Sequence, residues 1–443
     1  MRAFPVTLTA TMLTLTGVSA AELPAIVHKP SVDVYARPAF DAAKLATLQR
    51  DTAVLISAQQ GLWYQLQLSP GTPGYLRVND VRLAYAGVED GAANMRVLMG
   101  GKAGKGRVTE TAGVRGIEES DLKAASFDRA QLDGMVAQRV DAPTAAAFAG
   151  EHGWQATSVA YADEARRGKS TGESAADAGA SKAKAARAVS GLLGSLGVNS
   201  GSLLDDVAKV VPKSEDELAA EELALGPEIT GRILGVRPLW NDPAAQRRVN
   251  LVGRWVASQT SRPDLPWTFG VIDTPEVNAF AAPGGYILVT RGLYELMSTD
   301  SELAAALAHE ISHCVQRDHY NVIHKQEMAD TARERALSQV TTGNDTTAGR
   351  YARRYAEEHG AAIMMTSLDR EAEYRADQGA EVYLARAGMN PLALYSLLQK
   401  LTALGSESAS LAQLYKTHPP LDARVDRIDQ RGFGALEPYT ARE

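Results

Sequence analysis

The sequence contains a single cysteine, Cys314, among 443 residues. One cysteine cannot form an intrachain disulfide, so the small disulfide-stabilised folds of secreted proteins are excluded. We expect Cys314, which directly follows His313, to behave as a small buried hydrophobic residue. Long apolar runs are also missing, since no segment after the N-terminus reaches the roughly 18 residues that a transmembrane helix needs.

Positive charge is scarce as well. The chain has 46 Lys and Arg residues against 53 Asp and Glu residues, which gives a net charge of -7. No overall basic field exists to attract nucleic acid or anionic lipid, so neither is predicted as a partner. Histidine is rare too, with 8 residues, and a local cluster of histidines is therefore informative.

Residues 1–20, MRAFPVTLTATMLTLTGVSA, combine an early Arg2, an apolar stretch and the small residues Val18-Ser19-Ala20. This pattern is typical of a secretory signal peptide, and an uncleaved N-terminal anchor is the alternative. We therefore expect a mature chain without a transmembrane helix that is soluble in the periplasm or otherwise exported.

The remaining chain divides into four regions by pattern. Short β-branched runs between turn signals predict a small all-β barrel, and a stretch rich in Ala, Gly and Ser predicts a flexible linker. A helical pattern with two strands, WTFGVID (267–273) and YILVT (286–290), predicts a mainly α domain of α+β type with a small sheet. The predicted regions are the barrel (25–87), a mixed helical region (88–163), the linker (164–202) and the helical domain (203–432).

A metal-binding pattern lies in the helical domain. Thr299-x-x-Glu302 is a capping box that predicts a helix through His309-Glu310-x-x-His313. Histidines four residues apart lie on one face of a helix, and this motif is typical of zinc proteases. Two imidazoles and one carboxylate would hold one Zn²⁺ per chain and leave a position for water, with Glu310 beside it as general base. Two surface histidines on an ordinary helix are the alternative.

The third ligand has three candidates, namely His319, Glu373 and Asp377. His319 faces away from the metal if the helix simply continues beyond His313. Glu373 and Asp377 lie one turn apart on a later predicted helix, so one can bind the metal while the other accepts a ligand histidine's N–H. This acidic pair is a better candidate than His319, and a solvated acidic helix face is the alternative.

Residues 240–430 resemble the zinc metallopeptidase family that contains the CAAX prenyl proteases, the bacterial heat-shock membrane protease and periplasmic relatives. The matching motifs, in order, are Asn278-Ala279-Phe280-Ala281 with Pro283-Gly284-Gly285, His309-Glu310-x-x-His313, Glu373-x-x-x-Asp377, and His418-Pro419 with Arg424.

This resemblance implies specific roles. The zinc ligands would be His309, His313 and Glu373, and Glu310 would be the base. His418 and Arg424 would stabilise the transition state, with Asp377 orienting the site. Asn278, Ala279, Phe280, Gly284 and Gly285 would bind substrate, and the strand YILVT would offer its edge to an extended peptide.

Residues 31–87 resemble the bacterial SH3-like domain, through Gly61-Leu62-Trp63-Tyr64 and Gly74-Tyr75-Leu76. That resemblance implies binding to peptidoglycan or an envelope protein, although such a domain can also be only a spacer.

Together these patterns predict an exported zinc endopeptidase that hydrolyses unfolded or misassembled envelope proteins in protein quality control. The alternative is an envelope-binding protein or chaperone with a latent or weakly active metal site. A third possibility is a lid, formed by the linker or by the stretch between Val315 and Leu368, that covers the cleft.

Overall fold

A computed structural model describes residues 22–69, 71–83, 98, 117–164, 215–326, 354–355, 359, 361–365, 367–405 and 408–442. The predicted signal peptide lies outside the described residues. The predicted linker does too, apart from Glu164, as does most of 88–116 within the predicted helical region.

The N-terminal part is a seven-stranded antiparallel sheet in the order β3-β2-β6-β5-β4-β1-β7. Alternate residues such as Val34, Ile56 and Leu76 are fully buried on its inner face, as the period of two in a half-buried strand requires. The strands are β1 (Leu23–Val27), β2 (Ser31–Tyr35), β3 (Lys44–Gln49), β4 (Ala53–Gln60), β5 (Trp63–Ser69), β6 (Thr72–Arg77) and β7 (Val81–Leu83). The predicted all-β character of this region is confirmed.

Among the residues that the structure describes, five helices precede the second sheet, and an aspartate caps three of them. Asp128, Asp141 and Asp242 each accept a hydrogen bond from a backbone N–H of the first turn, which satisfies donors that have no partner within the helix. The helices are α1 (Glu119–Ala124), α2 (Arg129–Ala137), α3 (Ala142–Glu151), α4 (Glu215–Val236) and α5 (Pro243–Ala257).

The second sheet has three strands in the order β8-β10-β9, formed by β8 (Thr268–Ile272), β9 (Ala279–Ala282) and β10 (Tyr286–Thr290). The predicted strands at 267–273 and 286–290 are confirmed as β8 and β10. The prediction that YILVT offers a free edge is wrong, because β10 pairs in parallel with β8 and antiparallel with β9. The two edge strands are β8 and β9, and the sequence did not indicate β9 because alanine is uncommon in strands.

The C-terminal part is helical, as predicted. It contains α6 (Arg291–Leu296), α7 (Asp300–Gln316), α8 (Arg370–Arg386), α9 (Leu392–Thr402), α10 (Ala412–Thr417) and α11 (Leu421–Arg431), with short 3₁₀ turns at Ala362–Met365 and Gly434–Tyr439. Helix α7 is the centre of this part, since every residue from Glu302 to Gln316 is buried.

The N-terminal sheet packs against α9 and α11. The buried Gln399 of α9 donates to the carbonyls of Val78 and Val81 and accepts from the Leu83 N–H. Arg82 of β7 pairs with Asp426 and Asp429 of α11 at 2.8 and 2.6 Å. The seven-stranded sheet and the C-terminal helices therefore share one core. Within the described part of the chain, none of the helices is both long and apolar enough to cross a membrane.

Candidate metal centre

Helix α7 carries His309 and His313 one turn apart. Thr299 caps the helix by accepting from the Glu302 N–H, as the sequence predicted. The Glu302 carboxylate, however, accepts from the Ser298 backbone and hydroxyl and not from the Thr299 N–H, so only half of the predicted capping box forms. The two histidine Nε2 atoms lie 3.2 Å apart. Two acceptor nitrogens at this distance repel each other unless a proton or a cation lies between them.

Helix α8 brings Glu373 to the two histidines. Asp369 caps α8, and Glu373 in its first turn is fully buried. The Glu373 carboxylate lies 3.5 Å from His309 Nε2 and 3.6 Å from His313 Nε2. The helices approach closely at Gly379, where a Cβ atom would lie closer than 3.0 Å to Ser312 Oγ of α7.

The donor atoms of four buried residues converge. One atom each from His309, His313, Glu373 and His418 lie within 4.8 Å of one another. The Oε1 atom of Glu373 is buried and has no hydrogen-bond partner among the described residues. A buried carboxylate oxygen without a partner is costly unless a cation satisfies it, so this cluster can hold a metal ion.

Each histidine on α7 has its own carboxylate on the ring nitrogen that faces away from the cluster. His309 Nδ1 lies 2.9 Å from Asp377 Oδ1, and His313 Nδ1 lies 2.8 Å from Asp318 Oδ2. Such carboxylates fix the tautomer and the orientation of metal-ligating histidines. The sequence singled out Asp377 but missed Asp318, whose only signal was an acidic residue just after the motif helix.

Arg424 and Asp377 form a buried ion pair. The guanidinium makes two contacts of 2.9 and 2.5 Å to the carboxylate. Burial opposes the charge of Asp377, but Arg424 and His309 outweigh it and lower the pKa of Asp377 far below its ordinary value. Burial and Arg424 likewise oppose a charge on His309, but the carboxylates of Asp377 and Glu373 raise the pKa of His309 to about 9. Arg424 thus contacts the carboxylate behind the metal position, and its predicted transition-state role stays a prediction.

His418 lies within the cluster. It follows α10, and its Nδ1 lies 2.7 Å from Glu373 Oε2. Its ring centroid is 5.4 Å from that of His309. The structure therefore brings His418 to the same carboxylate that faces the two α7 histidines, and its predicted catalytic role stays a prediction.

A small cavity of about 10 Å³, roughly the room that one water molecule needs, opens beside the cluster. Glu310, the predicted base, lies in its wall, as does His319. Helix α7 does not continue to His319, because it ends at Gln316 and Arg317 adopts a left-handed conformation. His319 consequently reaches the cavity, but it is not among the converging donors, and burial lowers its pKa to about 3. The wall is formed by Ala279, Phe280, Ala281, Glu310, His319, Met364, Leu368, Glu373, Thr417 and His418.

The predicted substrate residues lie in two places. Ala279 and Phe280 of β9 line the cavity, whereas Gly284 and Gly285 form the turn between β9 and β10 with φ of 73° and 89°. Such angles favour glycine. Asn278 is fully buried, and its side-chain amide has no partner among the described residues. Cys314 is buried, as expected.

Comparison with known proteins identifies relatives of this region. A model of peptidase family M48 matches residues 243–432. The beta-barrel assembly-enhancing protease of Escherichia coli strain K12 is 28% identical over 206 residues, which are 46% of this chain and 42% of that protein. The mitochondrial metalloendopeptidase OMA1 of Schizosaccharomyces pombe is 24% identical over 182 residues, which are 41% of this chain and 51% of that protein.

A protease HtpX homolog of Limosilactobacillus fermentum is 30% identical over 216 residues, which are 38% of this chain and 69% of that protein. By contrast, the chain spans less than half of the length of the assembly-enhancing protease that it matches. The names of these relatives agree with the predicted metalloprotease class. The residues that match the family model include every donor of the cluster. The HtpX homolog is 30% identical and is matched over 69% of its length. This chain therefore belongs to peptidase family M48.

Proposed function

We propose that this protein is an exported zinc-dependent endopeptidase that hydrolyses peptide bonds of unfolded or misassembled envelope proteins. The observation that carries the proposal is the convergence of His309, His313 and Glu373 on one point, with Glu310 in the wall of the adjoining cavity. In a purely structural metal site, protein ligands occupy every coordination position. A base such as Glu310 would have no catalytic role beside a site of that kind.

The spacing of the donors supports zinc. With Zn–N bonds of about 2.0 to 2.1 Å, two nitrogens of a tetrahedral site lie roughly 3.3 to 3.4 Å apart. The two histidine Nε2 atoms are 3.2 Å apart, and each lies 3.5 to 3.6 Å from the Glu373 carboxylate. Imidazole and carboxylate are also ligands that Zn²⁺ accepts readily. The residues present therefore fit this ion.

Zinc in such a site lowers the pKa of a water molecule from about 15.7 toward about 7. Glu310 is buried and borders the same cavity, which suits it to take a proton from that water and return it to the leaving amine. Asp377 and Asp318 would keep the two imidazoles oriented while this happens.

The substrate edge follows from the small sheet. An extended peptide can add to an exposed sheet edge through main-chain hydrogen bonds, and β9 is the edge strand next to the cavity. Such pairing reads backbone more than side chains, so it suits unfolded segments of varied sequence. The name of the beta-barrel assembly-enhancing relative is in keeping with substrates that belong to β-barrel assembly.

The N-terminal sheet would be an SH3-like domain that recruits peptidoglycan or an envelope protein. The exported location, the signal peptide at residues 1–20 and a mature chain without a membrane anchor belong to the same proposal. The positions of the two SH3-like motifs support it, because Gly61-Leu62-Trp63-Tyr64 leads into β5 and Gly74-Tyr75-Leu76 lies within the next strand, β6.

A latent metal site in a binding protein or chaperone is the second candidate. The observation in its favour is the 3₁₀ turn Ala362–Met365, which contacts β9. Met364 of this turn and the nearby Leu368 line the cavity. These residues come from the stretch between Val315 and Leu368 that the sequence suggested as a lid, although residues 327–353 lie outside the described part of the chain. A peptide that reaches β9 has to pass this turn.

The test compares the wild-type chain with Glu310→Gln on unfolded casein, with and without a chelator. We expect casein cleavage by the wild type, its loss on chelation, its recovery on adding Zn²⁺, and a loss of at least about 100-fold in Glu310→Gln. Zinc content is measured in both proteins. If both bind zinc and leave casein equally intact, the protein acts as a binding protein or is latent.

A further inference from the structure

Asp318 makes a contact with the metal centre that the sequence motif does not contain. Its Oδ2 atom lies 2.8 Å from His313 Nδ1, and both residues are buried. Its Oδ1 atom lies 3.9 Å from the Arg375 guanidinium. Asp318 thus stands to His313 as Asp377 stands to His309. Since Asp377 belongs to α8 and Asp318 follows α7, the two histidines are oriented from two separate parts of the chain.

The position of Asp318 depends on one unusual residue. Arg317 ends α7 with φ 59° and ψ 31°, which is a left-handed conformation that a residue with a Cβ adopts at a cost. Helical backbone resumes at residue 318. If α7 continued without this break, residue 318 would follow His313 by about 500°, or about 140° around the axis, and would point away from it.

Two glutamates of α4 hold the Arg317 side chain. Its Nε lies 2.9 Å from the Glu222 carboxylate and its Nη1 lies 2.8 Å from the Glu215 carboxylate. Glu222 is fully buried, whereas the Glu215 side chain is 55% exposed. Glu222 also receives two hydrogen bonds from Arg262, at 2.8 and 2.7 Å. A buried carboxylate between two guanidiniums gives Arg317 a fixed partner that solvent does not screen.

We propose that Asp318 is a positioning residue for the metal ligand His313, and that Glu222 sustains it by holding Arg317 in the left-handed turn. This inference rests on the proposed zinc site. Asp318 accepts the Nδ1 proton of His313, which leaves Nε2 free to face the metal. Helix α4 therefore contributes to the metal centre although none of its side chains reaches the four donors.

The test measures the zinc dissociation constant of the full chain by competition with a chromophoric chelator. Asp318→Ala is expected to raise it about 10- to 100-fold, and Asp318→Asn, which keeps an acceptor oxygen, to raise it less. The matched control is Glu215→Gln, which removes the exposed partner of Arg317 and is expected to change the constant by less than about threefold. Circular dichroism of the zinc-free proteins checks that each variant folds.

Two substitutions at position 317 test the turn itself. Arg317→Gly removes the guanidinium but adopts the left-handed conformation readily, whereas Arg317→Ala does not. We expect the alanine variant to bind zinc about tenfold more weakly than the glycine variant. We also expect Arg317→Gly to recover part of the zinc affinity lost in Glu222→Gln. A role in folding alone would separate glycine from alanine in stability but not in the zinc dissociation constant of the variants that fold.

The inference is overturned if Asp318→Ala binds zinc as tightly as the wild type, or if the glycine and alanine variants at 317 are equally weak. It is overturned together with the proposed function if the wild type binds no zinc. If the zinc constants follow the expected order while the wild type leaves casein intact, the proposed endopeptidase function fails and the role of Asp318 stands.

Discussion

The contact between α7 and α8 at Gly379 leads to a prediction about the metal centre. In Gly379→Ala, the new Cβ would lie closer than 3.0 Å to Ser312 Oγ and 3.2 Å from Ser312 Cβ. Ser312 is fully buried, and its hydroxyl accepts a hydrogen bond from Gln316 at 2.8 Å. The serine cannot rotate away without losing that bond, so the helices have to separate by a few tenths of an ångström.

The magnitude follows from three effects. Overpacking costs about 1 to 3 kcal/mol, and losing the Gln316 hydrogen bond costs about 1 kcal/mol. Alanine in place of glycine in a helix returns about 1 kcal/mol. The net loss is therefore about 1 to 3 kcal/mol, or a melting temperature lower by roughly 1 to 3 °C for a chain of this length. Because Glu373 and the two histidines lie on these two helices, we also expect zinc affinity to fall by about three- to tenfold.

Thermal unfolding and a competitive zinc titration measure the two effects. The matched control is Gly134→Ala on α2, where the new Cβ would meet only Leu239 at an ordinary 3.8 Å, so stability should rise by up to about 1 kcal/mol. Adding Ser312→Ala to Gly379→Ala removes the closest atom and should restore part of the loss. If Gly379→Ala melts at or above the wild-type temperature with unchanged zinc affinity, the separation of the two helices is not set by this contact.

Three further predictions concern the charges around the site. Asp377→Asn leaves the buried Arg424 without its carboxylate partner, so we expect the free energy of unfolding, measured with denaturant, to fall by about 3 to 5 kcal/mol. Adding Arg424→Met to this variant should recover part of the loss. An unchanged free energy of unfolding in Asp377→Asn would contradict this prediction. Burial raises the pKa of Glu381 from 4.5 to about 7 despite the nearby Arg431. The folded chain therefore keeps a proton on this carboxyl group that the unfolded chain releases. The stabilisation that this proton gives the folded chain is lost as the pH rises through about 7. Glu381→Gln should therefore gain stability relative to the wild type between pH 5 and pH 8, by up to roughly 3 kcal/mol, and parallel stability profiles would refute the reasoning. Arg82→Ala removes the ion pairs between β7 and α11 and should lower stability by about 1 to 2 kcal/mol in chemical denaturation, whereas an unchanged midpoint would mean that these pairs do not hold the sheet to the helices.

The helices that carry the site could be predicted from the sequence because their signals are local. The Thr299 cap and the apolar run after it predicted α7, and Asp369, Gly388 and Pro391 bracket α8. The period of an α-helix then places His309 with His313, and Glu373 with Asp377. Which of the two carboxylates faces the histidines could not be read from spacing, since both lie on the same helix face, and the family resemblance supplied the preference for Glu373.

The surroundings of the site could not be predicted because their causes are not local. The local sequence around Arg317 does not indicate a left-handed residue. Its conformation is accompanied by an ion pair with Glu222, which lies 95 residues earlier. The edge strand β9 could not be predicted from the sequence for a related reason. Its four residues carry weak strand propensity and become a strand only because the turn at Gly284 and Gly285 folds them against β10.

The C-terminal motif, His418-Pro419 with Arg424, belongs to the site because α8 makes three side-chain pairs with the chain that follows it. The contacts are Glu373 with His418, Asp377 with Arg424, and Glu381 with Arg431. The three acidic residues are spaced by four, so they occupy one face of α8. All three are buried, and each would lose its side-chain partner if α11 or the end of α10 moved along α8. The contacts that fix the register of these helices thus also fix the distance of Glu373 from the histidines of α7. A substitution at Arg431, remote from the metal, should therefore still alter the position of Glu373.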